Sequence, residues 1–199
     1  MSKTFAGIDP ALQGWLAEQP MFFVATAPSE GGHINVSPKG LDGTFAVIDD
    51  HHVAYLDLTG SGIETVAHLR DNGRIVLMFC AFTGPPRIVR LHGRGEALLS
   101  GTAAFEAMAG RFSNPLPPGA RSVITVDVTR VSDSCGFGVP LMDFVGQRPL
   151  LPAWAERKSP AGVAEYQATR NQASIDGLPG LPAADPAPAA APAPAPVGL

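Results

Sequence analysis

Short runs rich in β-branched and aromatic residues recur through the first part of the chain: MFFVATA at 21–27, HINVSP at 33–38, TFAVI at 44–48 and HVAYLDL at 52–58. Turn signals such as SEGG and IDDH separate them, and that spacing predicts antiparallel hairpins and a small barrel. Ahead of them, Leu12, Trp15 and Leu16 share one face of a helix expected over 9–19, which Pro20 ends.

The strand pattern first breaks at 61–72. Ser61 and Glu64 have the S-x-x-E spacing of a capping box, Ile63, Val66, Ala67 and Arg70 recur at helical spacing, and Asn72-Gly73 supplies the stop. RIVLMFCAF at 74–82 returns to strand and, being apolar almost throughout, is expected to be covered on both faces. In the next strand, over 87–99, Ile88, Arg90 and His92 alternate with Val89, Leu91 and Gly93, which makes one face apolar and the other basic. A short helix is expected over 102–112 with Ala104, Phe105, Met108 and Ala109 on its packing face, then an alternating strand over 121–131. Residues 148–170 read as irregular and helical, anchored by Trp154, Val163 and Tyr166. Residues 1–177 are thus expected to form a single domain. The last stretch, 178–199, has seven prolines and no aromatic residue, so it buries too little apolar surface to offset ordering entropy and reads as a disordered tail.

Composition narrows the function. With 45% hydrophobic and 16% charged residues in 199, the balance is that of an ordinary globular protein, and a formal charge of -4 argues against nucleic acid or an acidic membrane as partner. Arg70, Arg74, Arg87, Arg90 and Arg94 nevertheless cluster in the middle of the chain with one acid, Asp71, among them, which suits a small anion. The opening residues lack the apolar run of a secretory signal and no stretch reaches the roughly eighteen apolar residues of a membrane span, so a cytoplasmic location is expected. Cys80 and Cys135 form no metal-ligand spacing, and no metal site is expected. Cys80 reads as buried filler; Cys135, in SCGFG, reads either as a small loop residue or as a neighbour of a ligand.

The run LTGSGIET, from Leu58 to Thr65, offers what an anionic cofactor needs: the hydroxyls of Thr59 and Ser61, glycines that admit close backbone approach, and the free N–H groups of a helix start. Taken alone, Ser61 reads first as a simple helix cap. Lys39 follows Ser37-Pro38 at a strand end, where its amine reaches a phosphate or a ring edge, or is a solvated turn lysine. Arg87 and Arg90 either converge on the same site or form a solvated basic face.

Taken in order, NVSPKG, YLDLTGSGIETVAHLRDNGRIVLMF and PPRIVRLHGRGEA resemble the pyridoxamine 5'-phosphate oxidase-like FMN-binding split barrels, over roughly residues 20–131. Ser61, Asn72, Arg74 and Arg87 carry that family's pattern of loop serine, helix end and arginine-bearing strand. SDSCGFGVPLMDFVG, WAERK and NQASIDGLPGL look like an oxidase-related subgroup. The resemblance implies a mainly β, six-stranded antiparallel split barrel with peripheral helices, a homodimer, and FMN in two clefts between the subunits. It implies that Asn35, Val36, Ser37, Pro38 and Lys39 line the flavin ring, and that Leu58, Thr59, Gly60, Ser61 and Thr65 form the phosphate loop, helped by Arg87. Two departures stand out: Gly62, Ile63 and Glu64 replace the basic residues that follow the loop serine in the oxidases, and the terminal Arg-x-His substrate clasp has no counterpart.

The expected function is therefore flavin-dependent redox chemistry on a small molecule, with no identified catalytic side chain. The alternative is a non-catalytic protein on the same barrel that holds haem or a deazaflavin, or a cofactor-free structural dimer. Haem would need an axial ligand, for which His33 and His68 are the candidates.

Overall fold

The computed structural model describes residues 3–182. In chain order the elements are β1 (Lys3–Phe5), α1 (Pro10–Ala17), β2 (Phe22–Thr26), β3 (Asn35–Lys39), β4 (Phe45–Val47), β5 (His52–Leu58), α2 (Glu64–Asn72), β6 (Arg74–Cys80), β7 (Ile88–Leu99), α3 (Ala103–Ala109), β8 (Ala120–Ser134) and α4 (Leu150–Arg170). All strand pairs are antiparallel, in the order β3-β2-β6-β7-β8-β5-β4, with β1 added to β8.

The chain is mainly β, as expected, but its sheet has eight strands rather than six. The length of β8 explains one of them: β5 pairs with Ala120 to Asp127 only, and β1 covers the remaining edge at Val131 to Asp133. The sheet curls far enough to bring β2, next to one end, into contact with β4 at the other. Phe22 of β2 and Phe45 of β4 lie 5.2 Å apart between ring centroids, with Phe79 5.0 Å from Phe22 and 5.1 Å from Phe45. Those rings join Val24, Leu77, Leu91 and Ile124 in the main core, which α1 covers with Leu12 and Leu16. Asp9 starts α1 by accepting the Leu12 N–H at 2.7 Å, and Thr102 starts α3 by accepting that of Phe105 at 3.2 Å. Phe105 packs a second core with Ala54 and Leu56 from the opposite face of β5; Ala104, expected to pack with it, is exposed.

In the single chain strand β6 is covered on one face: Ile75, Leu77 and Phe79 are buried, whereas Val76 and Met78 are half-buried beside Phe23 and Ala25 of β2. Two expectations are corrected. Helix α2 starts at Glu64, with Ile63 at its N-cap and no side-chain cap; Ser61 is exposed and belongs to no capping box. The buried Ile63 side chain, against which Gly180 packs, draws the turn inward and delays the helix. The tail, expected to begin at 178, is ordered through its first residues: the Gly180 N–H donates to the Gln172 carbonyl and that of Leu181 to the Asn171 carbonyl, both at 2.8 Å, and Leu181 packs on the main core. The rest of the expected tail, 183–199, lies outside the described residues. Helix α4 breaks at Ser159 ahead of Pro160; Val163 is buried and Trp154 meets Tyr166 edge to face at 5.0 Å.

Candidate functional site

The period of two along β3 decides which of its residues face the barrel. Asn35, Ser37 and Lys39 turn inward and are half-buried, while Val36 is exposed on the other face and Pro38, also exposed, borders the cavity beside Lys39. Strand β5 is covered on both faces, so the carboxylate of Asp57, one residue from its end, is fully buried. Two cations reach that carboxylate, one to each oxygen: Lys39 Nζ donates at 2.8 Å and Arg121 Nε, from the start of β8, at 2.7 Å. Burial opposes ionisation of Asp57, but Lys39 and Arg121 outweigh it and hold its pKa at about 2. Lys39 also lies 5.7 Å from the ring centre of Tyr55. The Tyr55 hydroxyl is buried without a hydrogen-bond partner among the described residues, and burial, reinforced by Asp57, raises its pKa well above the usual phenol value.

The loop after β5 is held from behind. The Thr59 hydroxyl donates to the Gly119 carbonyl at 2.8 Å and accepts from Gln167 Nε2 at 2.7 Å. Asn171, immediately after α4 and fully buried, donates from Nδ2 to the Gly60 carbonyl at 3.0 Å and accepts from Arg121 Nη1 at 2.9 Å. Beyond it the residues up to Leu181 lie over the start of α2. The Ile175 N–H donates to Glu64 at 3.4 Å, Asp176 accepts from the His33 N–H at 2.8 Å, and Arg70 donates to the Gly180 carbonyl. The Glu64 carboxylate folds back over Gly62, where any Cβ would collide with it.

These elements enclose a cavity of about 360 Å3 lined by Ser37, Lys39, Ser61, Glu64, Thr65 and Arg121, among others. A second, mostly apolar cavity of about 540 Å3 adjoins it; Pro38, Lys39, Gly40, Leu41 and Leu151 line both. The second is walled by Met21, Phe82, Met142, Phe144 and Leu150. Of the residues singled out in the sequence, Ser37, Pro38, Lys39, Leu58, Gly60, Ser61 and Thr65 line the first cavity. Asn35 stands behind it, donating from Nδ2 to the Thr65 hydroxyl at 3.2 Å, and Thr59 anchors the loop from within. Val36 points away, exposed. Arg87 does not converge on the site: it pairs with Asp133 at 3.3 Å and lies over Trp15 in another cleft. Arg90 is turned to Ser134 at 3.1 Å. The arginine that the cavity does contain, Arg121, and its partners Asp57 and Asn171 went unnoticed in the sequence. An acid within the apolar run HVAYLDL was the available signal.

The residues fit an amphipathic anionic cofactor such as FMN. An uncapped helix start with its N–H groups, the hydroxyls of Ser61 and Thr65, and Lys39 and Arg121 suit a phosphate. The adjoining apolar cavity suits a fused ring, and the joint space lies in the range of small-molecule sites. His33 and His68 line neither cavity. His68 is buried, with Nδ1 3.0 Å from the Thr26 hydroxyl and Nε2 unpartnered among the described residues.

The sequence model of the pyridoxamine 5'-phosphate oxidase family matches residues 8–135. A pyridoxamine 5'-phosphate oxidase family protein of Aspergillus flavus, ustO, is 43% identical over 194 residues, covering 90% of this chain and 78% of its own length. Among solved structures, HupZ of Group A Streptococcus is 24% identical with a TM-score of 0.47, covering 62% of this chain and 91% of that one. An FMN-binding protein from Syntrophomonas wolfei subsp. wolfei is 15% identical with a TM-score of 0.44, covering 60% and 80%. The family match runs from α1 through β8 and takes in every strand that lines the cavity, and the chain belongs to the pyridoxamine 5'-phosphate oxidase family.

Proposed function

We propose that this protein is an FMN-binding oxidoreductase that acts on a small molecule and works as a homodimer. The observation that carries the reading is the pair of adjoining cavities, one polar at the start of α2 and one apolar, with Lys39 on the wall they share. Bound FMN would supply two-electron chemistry at its ring. The chain's own part is to bind and orient. Ser61, Thr65 and the α2 N–H groups hold the phosphate, backed by Gly60 and Thr59; Ser37, Pro38, Leu58 and Lys39 border the ring, and Asn35 fixes the Thr65 hydroxyl. Asp57 holds the Lys39 amine in one place.

The homodimer draws support from the outer face of the sheet, where Phe23, Val76 and Met78 are only half-buried in the single chain, and from the exposed Phe137, Leu141 and Phe144. No described helix is long and apolar enough to cross a membrane. The cytoplasmic location belongs to the same proposal and is supported by two free cysteines, Cys80 and Cys135. The absorption spectrum of freshly purified protein, followed by FMN titration, tests the cofactor: flavin bands or saturable FMN binding are expected, and a Soret band or no binding at all refutes it. Sedimentation at micromolar concentration is expected to give twice the 20.6 kDa of one chain, and a stable monomer refutes the dimer.

A further inference from the structure

We propose that Arg121, held by Asp57 and Asn171, is the residue that recognises the anionic group of the ligand in this cavity, a phosphate or a carboxylate. The assignment concerns the same cavity as the flavin reading and rests on it only for the identity of the ligand.

A guanidinium has five N–H donors in a planar fork, and here two of its three nitrogens are already committed. Nε donates to Asp57 at 2.7 Å and Nη1 to Asn171 at 2.9 Å. Nη2 meets no acceptor among the described residues, and the residue lines the cavity. Its side chain is 6% exposed. A buried cation whose Nε and Nη1 are tethered, on a residue that lines a cavity, is a preorganised receptor, because ligand binding need not restrict it further.

The charge balance supports the same assignment. Lys39 and Arg121 share the single carboxylate of Asp57, one oxygen each, which leaves one net positive charge at the wall. Glu64, also in the lining, opposes it, so an incoming anion competes with that carboxylate. Arg87 has its own acid, Asp133, in another cleft, so among the described arginines Arg121 is the one that lines this cavity. Asn171 is a positioning residue: it reaches Arg121 with one end of its amide and the Gly60 carbonyl with the other, and so registers the guanidinium against the loop.

The test measures binding of FMN and of riboflavin, which lacks the phosphate, by fluorescence quenching. It also measures the rise in melting temperature caused by inorganic phosphate on the flavin-free protein. Arg121→Gln is expected to weaken FMN roughly ten- to a hundredfold while leaving riboflavin unchanged, the signature of the cofactor's phosphate. If the anion is instead the substrate's, FMN and riboflavin affinities both hold, but phosphate no longer perturbs the spectrum of the bound flavin. Asn171→Ala, which leaves the buried ion pair in place, is expected to act in the same direction by a few-fold and stands in if Arg121→Gln does not fold. Glu64→Gln is expected to tighten FMN and phosphate a few-fold. A wild-type protein that binds no flavin but is stabilised by phosphate through Arg121 would end the flavin reading and leave this one standing. Equal losses of FMN and riboflavin, or no change in any ligand's binding, would overturn it.

Discussion

Replacing Asp57 by asparagine tests the electrostatic centre of the site. The substitution keeps shape and some hydrogen bonding but leaves Lys39 and Arg121 without their shared counter-charge. The three side chains are 0%, 21% and 6% exposed for Asp57, Lys39 and Arg121, so water compensates little. Removing one partner from a buried ion pair costs about 3–5 kcal/mol at neutral pH. Acid reaches the same interaction in the wild type. The pKa of Asp57 falls from 3.8 to about 2 on folding, so the carboxylate stabilises the fold above pH 3.8 and loses that contribution as pH falls towards 2. The difference is worth about 2 kcal/mol, roughly half of which is gone at pH 3. Denaturant unfolding of wild type and Asp57→Asn at pH 7, 5 and 3 measures both quantities. The gap between them is expected to be constant from pH 7 to 5 and to narrow by about 1 kcal/mol at pH 3. A cost below about 1 kcal/mol at pH 7, or a gap that ignores pH, would refute the account of a buried carboxylate shared by two cations.

Ser61→Ala is expected to change folding stability by less than about 0.5 kcal/mol, because the residue is exposed and caps nothing; a melting experiment showing the ~1 kcal/mol loss of a cap would restore the capping box. Phe79→Ala removes a ring in contact with both Phe22 and Phe45 and is expected to cost about 3–5 kcal/mol by chemical denaturation; a cost under ~1 kcal/mol would mean that β2 and β4 do not meet. Ending the chain at Arg170 discards Asn171 and the packing of Leu181, and is expected to cost at least about 2 kcal/mol, whereas ending it at Pro182 leaves the melting temperature unchanged. Equal melting of the two truncated chains would show that the segment is not docked.

The strands and the start of α1 were legible because their causes are local. Alternation along β7 buries Val89 and Leu91 and leaves Arg90 and His92 half-exposed, and α1 buries Leu12 and Leu16, both as the pattern of residues implies. The cavity residue Lys39 was legible for a related reason, since a turn lysine carries recognisable composition, whereas Thr65 came only from the family resemblance. Where tertiary packing competed with a local signal, the local signal lost. Ser61 and Glu64 have the spacing of a capping box, but burying Ile63 beneath Gly180 moved the helix start and turned Glu64 to Ile175. Asp57 looks like one polar position of a strand, and only the covering of both faces of β5 buries it. The arginine of the site comes from the start of β8, 64 positions beyond Asp57, and Asn171 lies a further 50 beyond Arg121. Residue order alone determined the mainly β class of fold and the local elements that border the cavity, because helix and strand periods and turn chemistry act over a few residues. Which cation reaches which carboxylate was decided by the curl of the sheet and the return of the chain after α4, since an ion pair depends on separation in space and not along the chain.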